Sequence, residues 1–152
     1  MISKAFFSSK TDLWATPQWL FDKLNEEFQF TLDPCATQDN AKCKLFFTKD
    51  DDGLRQSWKG HKVFCNPPYG RELPHWVQKA YAESCQPDTI VVLLIPARTD
   101  TRWFHEYIYG RAKEIRFLKG RLKFGAATNS APFPSMVVVF AYKLSVRKGG
   151  AE

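Results

Sequence analysis

The chain has 152 residues, 44% of them hydrophobic and 15% aromatic, and a formal net charge of +6 at pH 7. That length predicts one domain with a single sizeable core, and the richness in large apolar groups excludes a disordered chain. No window reaches the roughly 18 uninterrupted apolar residues of a membrane span, residues 1–10 lack the apolar stretch of a secretion signal, and the basic balance favours a polyanionic partner, so a cytoplasmic protein is expected.

Residues 1–13 show no clear period and read as a loosely docked arm. Thr16 and Pro17 then predict a helix start, with Thr as N-cap and Pro at the first helical position. Leu20, Leu24 and Phe28, with Phe21 beside them, give that helix one buried face. Residues 29–32 are a short strand candidate ending at Asp33, and residues 37–44 a polar loop or irregular helix. Residues 45–48 are a second strand candidate, followed by the acidic run Asp50, Asp51, Asp52. Three adjacent carboxylates are equally the mark of a solvated turn. Residues 54–58 allow one helical turn before the predicted central strand, residues 62–65.

That strand stops abruptly at Asn66-Pro67-Pro68-Tyr69-Gly70. Pro74 opens the next helix, with Trp76, Val77, Ala80, Tyr81 and Ser84 on one side. Residues 89–95 are apolar without alternation, the pattern of a strand covered on both faces, and they lead into a loop at residues 96–100. Residues 101–109 read as helix, stopped by Gly110. A strand at 112–118, a turn and short strand at 120–125, a polar loop at 126–134 and a strong strand at 136–142 follow, then a basic tail at 145–152. Strands alternating with helices predict an α/β sheet, mostly parallel and Rossmann-like, with an antiparallel C-terminal hairpin. In such sheets ligands meet the carboxyl ends of the strands. Cys35, Cys43, Cys65 and Cys85 form no Cys-x-x-Cys pair, and His61, His75 and His105 are not placed to complete a zinc site, so reduced thiols and no metal are expected.

The loop at Asn66 carries the chemistry. It holds a side-chain amide, backbone carbonyls beside prolines that offer no N–H, and an aromatic ring within four residues. Taken alone it could be a rigid turn with a packed tyrosine. Following a central strand, it suits gripping a planar molecule with an amino group. The exocyclic amino nitrogen of a nucleobase is a poor nucleophile because its lone pair is delocalised into the ring. Hydrogen bonds from both amino hydrogens, to the Asn66 side-chain oxygen and the Pro67 carbonyl, would draw the lone pair out of conjugation, while Tyr69 stacks on the ring. With no metal or nucleophile site evident, a cofactor must supply the electrophile.

Five stretches in order carry a family resemblance: Trp14-Ala15-Thr16-Pro17; Leu32-Asp33-Pro34-Cys35-Ala36; Asn66-Pro67-Pro68-Tyr69; Leu94-Ile95-Pro96-Ala97-Arg98-Thr99; and Gly120-Arg121-Leu122-Lys123-Phe124 with Pro132-Phe133-Pro134-Ser135. Over residues 13–142 the chain resembles the phage-type, Dam-like N-6-adenine DNA methyltransferases. The resemblance implies S-adenosyl-methionine as methyl donor and double-stranded DNA as partner. It implies Thr16 and Pro17 at the amino-acid end of the donor, Asp33 at its ammonium, small Cys35 leaving it room, and one of the acidic run, here represented by Asp51, at its ribose or adenine edge. It implies Asn66, Pro67, Pro68 and Tyr69 as the catalytic loop. Many methyltransferases follow the acidic residue with a glycine-rich turn; here no glycine comes before Gly53. Adenine must be flipped out of the duplex to be reached, which costs a few kcal/mol. Arg71, Arg98, Arg102, Arg121 and Lys123 are the candidates to hold the DNA, with any base readout from the loop at 126–134. The rival readings are the same fold on another amino group (cytosine N-4, an RNA base or a protein glutamine) and an inactive DNA-binding relative. The biological role expected of a phage enzyme includes protection from host restriction; oligomeric state and recognition sequence are not encoded in any motif.

Overall fold

The computed structural model describes residues 13–125 and 127–142, so the arm before Leu13 and the basic tail lie outside the described residues. Helix α1 spans Gln18–Phe28 and buries Leu20, Phe21 and Leu24 of the predicted face, while Phe28 is only half-buried. Its start differs from expectation: the N-cap is Pro17, which has no side-chain acceptor, and the Thr16 hydroxyl accepts from the Asn66 amide instead. Gln29, in the left-handed region at φ 55°, ends it and donates its N–H to the Asn25 carbonyl at 2.9 Å.

Strand β1 is Lys62–Cys65, as predicted. Helix α2, Leu73–Ser84, has Pro74 in its first turn and buries Leu73, Trp76, Val77, Ala80 and Ser84. Strand β2, Ile90–Pro96, is buried along nearly its whole length, which its unbroken aliphatic run requires. The segment after it is a π-helical stretch, Phe104–Ile108, with Phe104 and Ile108 buried, and Gly110 at φ 81° turns the chain into strand β3, Glu114–Phe117. Strand β4 is Ser135–Ala141. Between β3 and β4 the predicted short strand at 120–125 does not form; that stretch is loop.

The strand order is β1-β2-β4-β3. β1 and β2 pair in parallel, from Lys62 opposite Ile90 to Cys65 opposite Leu93. β4 runs antiparallel to β2, with Pro96 opposite Ser135, and antiparallel to β3, with Phe117 opposite Met136. The sheet of regular strands is therefore mixed, and the mostly parallel description does not hold for it. The hairpin is there, but β4 is inserted between β2 and β3. Burial decides the order: β4 is apolar and covered along its length, whereas β3 alternates with charge and leaves Phe117 61% exposed, so β3 takes the edge.

The two early strand candidates shrink to single bridges, Leu32 to Val63 and Asp33 to Phe46, both parallel. They place Leu32 and Asp33 beside β1 all the same. The parallel pairing of β1 and β2 puts their carboxyl ends at one edge, and the Pro96–Ser135 pair brings the start of β4 there too. Asp33, Asn66, the loop after Pro96 and the connection before Ser135 thus meet at one edge of the sheet. Among the described residues no helix is long and apolar enough to cross a membrane.

Candidate active site

Asn66 is the first residue past β1, half-buried, with Pro67 buried behind it. Its side-chain Nδ2 donates to the Trp14 carbonyl and, at 2.9 Å, to Thr16 Oγ1. Its Oδ1 accepts the Tyr69 hydroxyl at 2.6 Å. The same hydroxyl lies 3.1 Å from the Leu94 carbonyl of β2. One phenolic hydrogen therefore faces two acceptors, and the shorter contact is the one to the amide oxygen. Burial pushes the Tyr69 phenol well above its ordinary value, so it stays a donor.

The Tyr69 ring is 7% exposed. It meets Phe124 and Phe133 edge-on, at 6.2 Å and 5.7 Å between centroids, and Trp14 meets the same two rings at 5.5 Å and 5.1 Å. The ring expected to stack on a base is thus covered by its own chain in this state. Trp14, Phe124 and Phe133 were not among the predicted site residues. Their signal in the sequence was large aromatics in stretches without period, flanked by Gly and Pro, where no helix or strand face explains them.

Asp33 is buried, and its carboxylate accepts two backbone N–H groups, from Cys35 at 3.3 Å and Lys42 at 3.0 Å. Burial outweighs those bonds and pushes the acid up to about 6. A buried carboxylate so raised is an acceptor for a cation. Cys35 sits half-buried beside it, its thiol pushed up to about 12 by burial and by Asp33, so it packs as a small neutral group.

Pro34, next to Asp33, has a close neighbour from the acidic loop. A Cβ on Gly53 would lie 2.0 Å from the Pro34 carbonyl oxygen and 3.2 Å from the Trp76 ring. Only glycine fits at position 53, where the loop passes against the Pro34 carbonyl. Trp58, fully buried, fixes that loop by donating its indole N–H to the Gly53 carbonyl at 3.0 Å. Of the acidic run, Asp51 Oδ2 accepts the Thr48 N–H at 2.9 Å and the Thr48 hydroxyl at 3.2 Å, and Asp52 pairs with Arg55 at 3.5 Å. Both carboxylates serve the turn in this state.

Arg71, Arg98, Arg102, Arg121 and Lys123 are all exposed, and none forms an ion pair among the described residues. Arg71 follows β1, Arg98 and Arg102 follow β2, and Arg121 and Lys123 lie on the connection entering β4, so all five rise from the edge that holds Asn66. Pro17 is buried beneath the uncapped first turn of α1, four residues after Leu13, which is 64% exposed.

Known proteins of similar sequence follow. Residues 4–144 match the family described as DNA N-6-adenine-methyltransferase (Dam). A DNA N-6-adenine-methyltransferase of Haemophilus phage HP1 is 36% identical over 143 residues, covering 89% of this chain and 82% of the phage protein. A protein of the same description from Escherichia phage T1 is 32% identical over 97 residues, covering 62% of this chain and 40% of its own.

Proposed function

We propose, since the chain belongs to the DNA N-6-adenine-methyltransferase (Dam) family, that it moves a methyl group from S-adenosyl-methionine to the exocyclic amino nitrogen of adenine in DNA, with Asn66, Pro67 and Tyr69 as the transfer site. It is an adenine-specific DNA methyltransferase of the phage type. The observation that carries the site assignment is the amide at the carboxyl end of β1, with both hydrogen-bonding ends of its side chain engaged and Asp33 at the same sheet edge.

The residues present fit the donor. Asp33 offers a buried anionic acceptor for an ammonium, and the uncapped N-terminus of α1 beside Thr16 and Pro17 offers N–H groups for a carboxylate. Half-buried Cys35 and buried Ala36 leave room beside the acid. Asp51 serves the ribose or adenine edge if its bonds to Thr48 are exchanged. When bound, S-adenosyl-methionine supplies a methyl group made electrophilic by the positive sulfur that carries it.

Asn66 Oδ1 retains a lone pair beyond the one that Tyr69 occupies, and it takes one amino hydrogen. The Pro67 carbonyl, followed by Pro68 with no N–H, takes the other. Two acceptors fixed before the base arrives stabilise the positive charge that grows on nitrogen as it attacks in line. Tyr69 reaches the base plane once Phe124 and Phe133 part from its ring. The exposed cations of the same edge hold the backbone while the base is out of the stack.

The test is the modified nucleoside. DNA from cells expressing the protein, digested and resolved by mass, will contain N-6-methyladenine; N-4-methylcytosine as the product would transfer the site to another amino group.

A further inference from the structure

The direction in which the Asn66 amide points decides whether it can work at all, because its oxygen accepts an amino hydrogen and its nitrogen cannot. The structure assigns that direction to a clamp formed by Trp14 and Thr16: the Trp14 carbonyl and Thr16 Oγ1 hold Nδ2 on one side, so that Oδ1 faces the place of transfer. Thr16 is in this sense a positioning residue for the catalytic amide, in addition to any contact with the donor. The inference rests on the reading of Asn66 as the transfer residue.

The clamp follows from the inventory of donors and acceptors. A backbone carbonyl only accepts, so the end of the amide against Trp14 must be the NH2 end. The second hydrogen of that NH2 goes to Thr16 Oγ1 at 2.9 Å. Reversed, the amide would set its oxygen against the Trp14 carbonyl and leave its NH2 facing the Tyr69 hydroxyl, which already has the Leu94 carbonyl as an alternative acceptor at 3.1 Å. With the clamp in place the Tyr69 hydroxyl bonds to Oδ1 at 2.6 Å. Thr16 is 8% exposed, so water does not readily replace it.

The clamp is itself held from the DNA-facing side. Gly125 donates its N–H to the Ala15 carbonyl at 2.8 Å, and the Trp14 ring packs between Phe124 and Phe133. Gly125 has φ 57°, and a Cβ there would touch that of Ala15 at 3.4 Å. The connection that carries Arg121 and Lys123 therefore fixes Ala15, and Ala15 lies between the two groups that fix Asn66. Thr16 lies one residue before the N-cap Pro17, and its hydroxyl accepts from an amide 50 residues away.

The experiment compares Thr16→Val, which keeps the shape and removes the acceptor, with Thr16→Ser, which keeps the hydroxyl. Three quantities are read in the intact protein: kcat on DNA at saturating S-adenosyl-methionine, the Kd for S-adenosyl-methionine by calorimetry, and the side-chain NH2 resonances of Asn66, identified by their loss in Asn66→Asp. The expected result is a kcat lowered about tenfold in Thr16→Val, one neutral hydrogen bond's worth, read at saturating S-adenosyl-methionine so that any change in Kd does not enter. The Asn66 NH2 signals shift in the same variant, and Thr16→Ser restores both kcat and signals. An unchanged kcat, or a loss confined to Kd, would overturn the assignment and leave Thr16 as a donor contact. Unmoved Asn66 signals would overturn the contact itself. Because the resonances report the clamp whatever the substrate, their shift together with absent adenine methylation in the wild type would indict the catalytic reading and spare the geometry.

Discussion

Replacing Gly53 by alanine tests how the first strand end is built. The new Cβ would stand 2.0 Å from the Pro34 carbonyl oxygen, 3.1 Å from its carbon and 3.2 Å from the Trp76 ring, against the 3.4–4 Å of ordinary contact. The first two neighbours are backbone and cannot swing aside, so the loop must retreat by more than an ångström. Its retreat strains the bond from the fully buried Trp58 indole to the Gly53 carbonyl. Overpacking of this kind costs about 1–3 kcal/mol, and a buried N–H losing its partner about 1–3 kcal/mol more. We expect Gly53→Ala to lose roughly 2–6 kcal/mol in urea unfolding, the sum of those two effects, together with affinity for S-adenosyl-methionine, since Pro34 adjoins Asp33. Gly60→Ala is the control: nothing lies within 4 Å of its Cβ, and only its φ of 80° is penalised, about 1–2 kcal/mol. A Gly53→Ala protein no less stable than Gly60→Ala would refute the close-approach argument.

Asp33, raised to about 6 by burial against an ordinary 3.8, binds its proton more tightly folded than unfolded. Stability therefore falls as pH rises from about 4 through 6, by roughly 3 kcal/mol for a two-unit shift; in Asp33→Asn that slope vanishes, and affinity for the ammonium-bearing donor drops at pH 7. A slope that persists in Asp33→Asn assigns it to another group. Ser135 Oγ is buried and has no partner among the described residues, so Ser135→Ala should match or exceed wild-type stability by about 1 kcal/mol, measured by thermal melt; a loss of stability contradicts this. Arg121→Ala and Lys123→Ala should weaken DNA binding and each lower the salt slope by about one, with Kd for S-adenosyl-methionine unchanged; an unaltered slope removes them from the DNA surface.

The fold was legible where local pattern suffices. The runs at Lys62–Cys65, Ile90–Pro96 and Ser135–Ala141 are apolar without alternation, and buried strands are what they become. Leu32 and Phe46 kept only single bridges, although backbone bonds flank them, from Phe47 N–H to the Asp33 carbonyl and from Ala36 N–H to the Phe47 carbonyl, both at 3.0 Å; Pro34 between them has no N–H to add. The place of β4 between β2 and β3 was silent in the sequence: strand order is non-local, and periodicity reports faces, not neighbours. At the site, the type and sheet-end position of Asn66 and Asp33 could be read from strand endings. The partner of Thr16 could not, since helix-start statistics assign its hydroxyl to a cap and only the fold brings Asn66 to it. The burial of Tyr69 under Phe124 and Phe133 was likewise invisible, being a packing of loops.

If Asn66 presents the acceptor that activates adenine's amino nitrogen, its removal abolishes transfer without abolishing donor binding. Purified wild-type and Asn66→Ala proteins should bind S-adenosyl-methionine with similar Kd by calorimetry, and in a single turnover on DNA with labelled donor the wild type should place the label on adenine N-6. Asn66→Ala should transfer no detectable label while still folding and binding the donor, with a lowered melting temperature because Trp14, Thr16 and Tyr69 lose their partner. Label on adenine from a folded, donor-binding Asn66→Ala protein would contradict it.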